Sequence, residues 1–207
     1  MQPFHCYPPY HAYARYIQNL YKVRSLINRH SIDLSGNVLD YGSGSGALAA
    51  VLADLCDPCS LTAYEPRIEA IEDSRRIFPR VSNCVTSDHS SLQKSHYNII
   101  FCQYVIAYVD SKALFKDLYS LLASDGIIIL EVSVPDLLSR LQGFGYSEWQ
   151  ISSSDYNDLF QLSSCSPSVC NNRSFDFTST SYIRLKLKQM VEPFMTKDSR
   201  LYIFRKV

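Results

Sequence analysis

Three glycines at alternate positions follow a short apolar run, and their spacing is the clearest chemical signal in the chain. They lie in the stretch NVLDYGSGSGALAAVLADL, from Asn37 to Leu55, as Gly42, Gly44 and Gly46. Glycine loses more conformational freedom on folding than other residues, so such a cluster needs a structural reason. A glycine-rich turn between a strand and a helix lets backbone N–H groups face a ligand at close range. The spacing therefore predicts a cofactor-binding loop.

Acidic residues lie where such a loop would use them. Asp40 stands two positions before the first glycine, and Glu65 ends the next apolar run, about 20 residues after the glycines. A carboxylate at that point can accept hydrogen bonds from both hydroxyl groups of a ribose. Enzymes that bind dinucleotides share the glycine pattern. The chain is short for a cofactor domain joined to a catalytic domain, which argues against this class.

The elements that must position these residues follow from the hydrophobic pattern. Apolar runs predict strands near 37–40, 60–66, 83–87, 98–104, 126–132 and 200–207, and helical stretches separate most of them. Continuous apolar strands that alternate with helices predict an α/β, Rossmann-like fold, a mostly parallel sheet with helices on both faces. Ligands of such sheets bind outside the carboxyl ends of the strands, where the loop and both acids would meet.

We expect one domain over residues 1–207, with two additions to the alternating pattern. Residues 1–30 contain apolar side chains at helical spacing and predict a helical cover over the sheet. Residues 152–180, rich in serine, asparagine and cysteine, predict an irregular insertion.

Composition restricts the classes of function. The net charge is zero, so no strong overall field attracts nucleic acid or an anionic membrane, although a local basic face is compatible with it. No apolar run reaches the roughly 18 residues of a membrane span, and the N-terminus has no signal-peptide pattern. Seven cysteines at irregular spacing favour a reducing compartment, and we expect a cytoplasmic protein without a membrane partner.

Cys56 and Cys59, in the stretch CDPC, have the spacing of half a zinc site. No second pair with matching spacing follows, and the motif closes a predicted helix, whereas a redox pair would open one. We therefore expect a turn with partly buried thiols and no metal.

The stretch VLDYGSGSG resembles motif I of the class I S-adenosyl-L-methionine (SAM)-dependent methyltransferases, D-x-G-x-G-x-G. The resemblance covers about residues 15–135 and implies SAM as the cofactor. It implies that Asp40 orients the methionine amino end, and that the cofactor lies over a loop formed by Gly42, Ser43, Gly44 and Gly46.

Two later segments extend this resemblance. The family's acid at the end of the second strand binds the ribose, which corresponds to Glu65. The stretch TSDHSSL implies that Asp88 reads the adenine amino group, with His89 beside it. The segment IIFCQYVIAYV resembles the fourth-strand region beside the transferred methyl group, which implies that Gln103 contacts the cofactor.

Three stretches resemble the mRNA cap guanine-N7 methyltransferases in particular. ARYIQNLYKVRSLI is similar to the family's R-x-F-N-N-x-x-K-x-x-L-I helix and implies that Lys22 approaches the cofactor carboxylate. FCQYVIAY is similar to x-x-Q-F-x-x-H-Y, with Ala107 in place of the histidine. It implies that Gln103 and Tyr104 position the acceptor and that Tyr108 lies near the guanine. The closing LYIFRKV implies that Tyr202 touches the cap.

These assignments make capped RNA the favoured partner. A methylated guanine is cationic, and aromatic faces bind cations and flat bases well. Arg15 and Arg24 would meet the triphosphate bridge. Guanine N7 has a free lone pair, so in-line methyl transfer to it requires no general base. A compact viral form of this family would account for the short domain and for the unusual motif I.

Two further hypotheses stay open. The chain would methylate an oxygen or nitrogen of a small molecule, with the N-terminal helix as a lid and His89 or His96 as the base. Alternatively, it would be a methyltransferase fold without activity that serves as a binding subunit.

Overall fold

A computed structural model describes residues 9–133, 160–162 and 199–206. Seven strands form one sheet in the order β3-β2-β1-β4-β5-β7-β6. In chain order they are β1 Val38–Tyr41, β2 Leu61–Tyr64, β3 Val85–Thr86, β4 Tyr97–Gln103, β5 Leu122–Ser133, β6 Phe160–Leu162 and β7 Ser199–Lys206. The first five strands pair in parallel, and β7 pairs antiparallel with both β5 and β6. The predicted Rossmann-like fold class is confirmed.

Within the described residues, four α-helices cover the sheet: α1 Pro9–His30, α2 Ala47–Leu55, α3 Ile68–Ile77 and α4 Ser111–Leu121. Helices α1 and α2 bury Val23, Leu26 and Leu52 against one face, together with Phe101 and Ile129 of the sheet. Helix α4 covers the opposite face, where its apolar side chains pack on others from β1, β4, β5 and β7. Because both faces are covered, the strands are the continuous apolar runs that the sequence showed.

The register of the sheet fixes which side chains share a face. Asp40 of β1 pairs with Phe101 of β4, and Phe101 pairs with Ile129 of β5. Two residues further along these strands, about 7 Å nearer the carboxyl edge, Gln103 pairs with Glu131. Side chains alternate between the faces of a sheet with a period of two. Asp40, Gln103 and Glu131 therefore all project towards α1 and α2.

The junction between α4 and β5 differs from the prediction. The stretch SKALFKDLYSLLAS predicts a helix over 111–124 that Asp125 and Gly126 close, but α4 ends at Leu121 and β5 begins at Leu122. The left-handed residue is Asp125, with φ of 60°, rather than the glycine after it. Asp125 does not end the helix but lies within β5, between the pairs Leu122–Tyr97 and Ile127–Ile99, where the register with β4 shifts. Aspartate tolerates a left-handed conformation better than most residues.

Among the helices described, none is both long enough and apolar enough to cross a membrane. Most of the predicted insertion at 152–180 lies outside the described residues, apart from the three residues of β6. The single domain over 1–207 stays a prediction.

Candidate cofactor and acceptor site

The glycine loop, residues 42–46, joins β1 to α2. Its three glycines all have left-handed backbone conformations, with φ of 78°, 55° and 76°. The backbone N–H groups of Gly42 and Ser43 both donate to the carbonyl oxygen of Tyr64, at 2.8 and 2.9 Å, which ties the loop to the end of β2. A Cβ atom added at Gly44 would meet no atom within 4 Å, so the loop presents open space at its centre.

Glu65 holds this loop in place through a hydrogen bond with its backbone. The N–H of Gly44 donates to Oε2 of Glu65 at 2.8 Å, and Nε of Arg67 donates to Oε1 at 2.6 Å. The Glu65 side chain is buried and forms an ion pair with Arg67. Each carboxylate oxygen can accept more than one hydrogen bond, so the predicted contact with a ribose is compatible with these bonds and stays a prediction.

Asp40 is a buried carboxylate with an unsatisfied oxygen. Only 1% of the residue is exposed, and its Oδ2 atom accepts no hydrogen bond within the part of the chain that the structure describes. Burial, and then the charge of Glu65, raises the pKa of Asp40 to about 7, although the backbone N–H of Ala49 lowers it in part. A buried polar atom without a partner is costly, so this position favours a ligand with a cationic or N–H donor group.

Ser43, in the glycine loop three residues after Asp40, also has an unsatisfied polar atom. Its buried hydroxyl oxygen has no hydrogen-bond partner among the described residues. The open space over Gly44, the unsatisfied atoms of Asp40 and Ser43, and the carboxylate of Glu65 fit a ligand with an amino end and a hydroxylated end. SAM has both groups, and when bound it supplies a methyl group on a positively charged sulfur.

A second polar group lies at the carboxyl ends of β4 and β5, and we call its members, Lys22, Tyr104 and Glu131, the Glu131 cluster. Nζ of Lys22 lies 2.6 Å from each carboxylate oxygen of Glu131. The hydroxyl group of Tyr104 donates to Oε1 of the same carboxylate at 2.7 Å. Lys22 is 7% exposed and Glu131 is 1% exposed, so this is a buried ion pair. The structure thus places Lys22 on Glu131, and its predicted approach to the cofactor carboxylate stays a prediction.

Helix α1 makes two more contacts with the same edge of the sheet. Nε2 of Gln103 donates to Oδ1 of Asn19 at 3.2 Å. The guanidinium carbon of Arg15 lies 5.8 Å from the ring centroid of Tyr104. Arg15, Asn19 and Lys22 therefore place α1 across the ends of β4 and β5, next to the glycine loop.

Asp88 and His89 lie on another part of the edge. Asp88 accepts hydrogen bonds from the hydroxyl and the N–H of Ser90, at 2.6 and 2.8 Å, and these bonds lower its pKa. Nε2 of His89 lies 2.7 Å from Oδ2 of Asp117, which also accepts from the Tyr41 hydroxyl at 2.7 Å. The contact with Asp117 places His89 beside α4. The adenine role of Asp88 and the cofactor role of His89 stay predictions.

Three other residues were predicted to contact the acceptor, namely Tyr108, Arg24 and Tyr202. Tyr108 is 69% exposed, at the end of a single 3-10 turn formed by Val105–Ala107. Arg24 is exposed on α1. Tyr202 lies in β7 opposite Leu130, and its side chain is outside the described part of the structure.

The predicted turn around Cys56 and Cys59 is present as a 3-10 turn, Pro58–Ser60. Sγ of Cys56 donates to the carbonyl oxygen of Leu52 at 2.9 Å, and Cys59 is exposed. Within the described ranges, no group of three or more His, Cys, Asp or Glu residues has the arrangement of a metal site.

The sequence interpretation missed Glu131 and Asn19. A signal for Glu131 was present, because it ends the apolar run GIIIL as Asp40 ends the run NVL. In both cases an acid follows directly after a buried strand, where a parallel sheet presents its ligand-binding edge. Asn19 had no comparable signal, since only the packing of α1 brings it to Gln103.

The sheet order, the glycine loop and the buried Asp40 together define a class I SAM-dependent methyltransferase. Residues 13–166, most of the chain, match the family model described as "Methyltransferase domain". The chain therefore belongs to the methyltransferase domain family. No curated protein matches it at the level of sequence.

Solved structures share the fold at low identity. N-methyltransferase NodS from Bradyrhizobium japonicum WM9 is similar with a TM-score of 0.58 and 15% identity, over 93% of this chain and 94% of that one. Magnesium protoporphyrin IX methyltransferase (ChlM) from Synechocystis PCC 6803, with bound SAH, is similar with a TM-score of 0.60 and 15% identity, over 93% and 84%. Phosphoethanolamine N-methyltransferase 2 from Haemonchus contortus, in complex with SAM, gives a TM-score of 0.55 and 13% identity, over 92% and 52%.

Proposed function

We propose that this SAM-dependent methyltransferase transfers the methyl group to a small-molecule acceptor, which binds at the carboxyl ends of β4 and β5 beneath α1. One observation carries the proposal. Asp40, Gln103 and Glu131 project from three adjacent strands onto the same face, and α1 contacts Glu131 through Lys22 and Gln103 through Asn19. A cofactor at the glycine loop and an acceptor at Gln103 would therefore lie side by side on this face of the sheet.

The structural neighbours support this class of acceptor. One is named as a magnesium protoporphyrin IX methyltransferase and another as a phosphoethanolamine N-methyltransferase. Both names describe small molecules. The proposal transfers only that class to this chain, because identities of 15% and 13% carry no information about a particular acceptor.

The guanine N7 of an RNA cap, which the sequence favoured, is the second candidate. Its support is Tyr108, which is 69% exposed. An exposed aromatic ring can stack on a base. Gln103 and Tyr104, however, are bonded to Asn19 and Glu131, which favours an acceptor smaller than a capped RNA.

Calorimetry and a transfer assay together test the proposal. The purified chain should bind SAM, and Asp40→Ala should abolish binding while the exposed Asp33→Ala should not. Radiolabelled SAM is then offered with a panel of small amines, alcohols and carboxylic acids, and in parallel with GpppG-capped and uncapped RNA. Label in a small molecule supports the proposal. Label only in the capped RNA, recovered as 7-methylguanosine, would replace it with the second candidate.

A further inference from the structure

The carboxylate of Glu131 is held almost completely by a cation from its own chain. Both of its oxygens lie 2.6 Å from Nζ of Lys22, and the Tyr104 hydroxyl donates to one of them. The side chain of Lys22 is 8% exposed and that of Glu131 is 1% exposed. Taking two charges out of water is costly, and an apolar pair of similar volume is often at least as stable. The ion pair therefore needs a reason other than stability.

Attachment of α1 to the sheet is not that reason. The neighbouring residues Val23 and Leu26 are 1% and 3% exposed and already anchor the helix in the core beneath α2. A lysine ammonium group is carried on a flexible four-carbon stem with several rotatable bonds. Lys22 can therefore leave Glu131 by a side-chain rotation, while the helix stays in place.

The position of Glu131 relates the pair to the reaction. Its side chain projects on the same face of the sheet as that of Asp40. Glu131 lies two strands away from Asp40 and two residues nearer the ligand-binding edge. It is also next to Gln103 in the register of β4 and β5. A group that binds Glu131 would lie beside the glycine loop, where the methyl donor binds.

We propose that Glu131 and Tyr104 recognise the ammonium group of an amine acceptor, and that Lys22 occupies this position until the acceptor displaces it. This proposal rests on the proposed function, and it names the acceptor class as small primary amines. The carboxylate supplies the charge and two acceptor oxygens, and the Tyr104 hydroxyl fixes its orientation. A neutral alcohol would leave the buried charge without a counterion, so Glu131 discriminates against it.

Methyl transfer from SAM to the amine conserves atoms and charge. The ammonium ion loses one proton to water and becomes a neutral amine, whose N–H group donates to the Glu131 carboxylate. The nitrogen lone pair then forms the bond to the methyl carbon while the carbon–sulfur bond breaks, and that electron pair stays on sulfur. The product leaves as a methylated ammonium ion, and the Lys22 ammonium group returns to Glu131.

A rescue experiment tests the cation site without SAM. Lys22→Ala keeps Cβ and removes three carbons and the ammonium group, which n-propylammonium replaces atom for atom. We expect n-propylammonium chloride to raise the melting temperature of Lys22→Ala by about 3 °C or more in a saturable manner. n-Propanol, and potassium chloride at equal ionic strength, should not do so. The double variant Lys22→Ala/Glu131→Gln and the surface control Lys94→Ala should show no such rescue.

A second measurement uses the wild-type chain and does not depend on folding of the variant. Linear primary amines of three to six carbons should accept label from SAM, and the matching alcohols should not. Glu131→Gln should raise KM for the amine at least tenfold and leave the Kd of SAM unchanged, whereas the exposed control Glu72→Gln should change neither.

The outcomes separate the two proposals. Equal rescue by n-propanol, or rescue that persists in the double variant, would overturn the cation site. Label in alcohols but not in amines would overturn the amine acceptor and leave methyl transfer to small molecules intact. A wild-type chain that binds no SAM would overturn the proposed function, while rescue by n-propylammonium would still establish the cation site.

Discussion

Tyr104 forms hydrogen bonds to Glu131 through both its backbone and its side chain. Its backbone N–H donates to the carbonyl oxygen of Glu131 at 2.8 Å, and its hydroxyl group donates to the carboxylate of the same residue at 2.7 Å. Tyr104 also has a left-handed backbone, with φ of 61°, which costs a non-glycine residue about 1–2 kcal/mol. The two bonds offset this cost and hold the aromatic ring at the edge of the sheet.

Removal of one of these bonds should weaken the site without affecting the cofactor. We expect Tyr104→Phe to lose about 1–2 kcal/mol of unfolding free energy, because a hydrogen bond to a buried carboxylate is lost. Urea unfolding would measure this loss, and calorimetry should show an unchanged Kd for SAM. The exposed Tyr21→Phe is the matched control. A variant as stable as the wild type would mean that the hydroxyl bond contributes nothing.

SAM binding should depend on pH through Asp40. Burial and Glu65 raise the pKa of Asp40 to about 7 in the folded chain, from an ordinary value of 3.8. A carboxyl group with a raised pKa favours the folded state below the ordinary value, and that contribution falls as the pH rises towards 7. Only the ionised form attracts the amino group of SAM, so affinity should increase from pH 5.5 to pH 8.

Asp40→Asn isolates this titration. Calorimetry at several pH values should show weak SAM binding by the variant at every pH, whereas binding by the wild type strengthens. If the wild type showed the same affinity at pH 5.5 and pH 8, Asp40 would not be the titrating contact. The unfolding free energy of the wild type should fall from pH 5.5 to pH 8, because the raised pKa favours the folded state at low pH. The unfolding free energy of Asp40→Asn should not show this fall.

Glu65 should contribute to cofactor affinity through the ribose and through the loop. We expect Glu65→Gln to weaken SAM binding at least tenfold, which corresponds to about 1.4 kcal/mol, because the charge beside Gly44 and Arg67 is lost. Calorimetry measures the change, with the exposed Glu69→Gln as the control. An unchanged Kd would remove Glu65 from the cofactor site.

Two glycines of the loop should respond differently to the same substitution. A Cβ at Gly46 would lie 2.7 Å from Cβ of Ser74, so Gly46→Ala should destabilise the fold strongly. At Gly44 the Cβ meets nothing, so Gly44→Ala should cost only the strain of its positive φ, about 1–2 kcal/mol. Gly44→Ala should nevertheless weaken SAM binding at least tenfold, because the added Cβ occupies the space in which the ligand binds. Normal SAM binding by a folded Gly44→Ala would place the ligand elsewhere.

Local sequence patterns were sufficient for the fold class and for the cofactor end of the site. Apolar runs of strand length, helices between them and three glycines after Asp40 are features of short segments, and short segments decide strand, helix and turn. The same reasoning failed at the end of α4, because the helical pattern continues to residue 124 and Asp125 and Gly126 have the usual types for a helix end. Only the pairing of Leu122 with Tyr97 brings the end of the helix to Leu121.

The acceptor end depends on contacts that no segment contains. Lys22 and Glu131 are 109 positions apart, and Gln103 and Asn19 are 84 apart. Lys22 had a resemblance to suggest its role, but its partner became clear only when Val23 and Leu26 packed α1 against the sheet. The sequence by itself determined that the chain folds as a methyltransferase and where the cofactor loop lies. The tertiary structure decided which charges meet, because a buried ion pair requires packing to remove water from both partners.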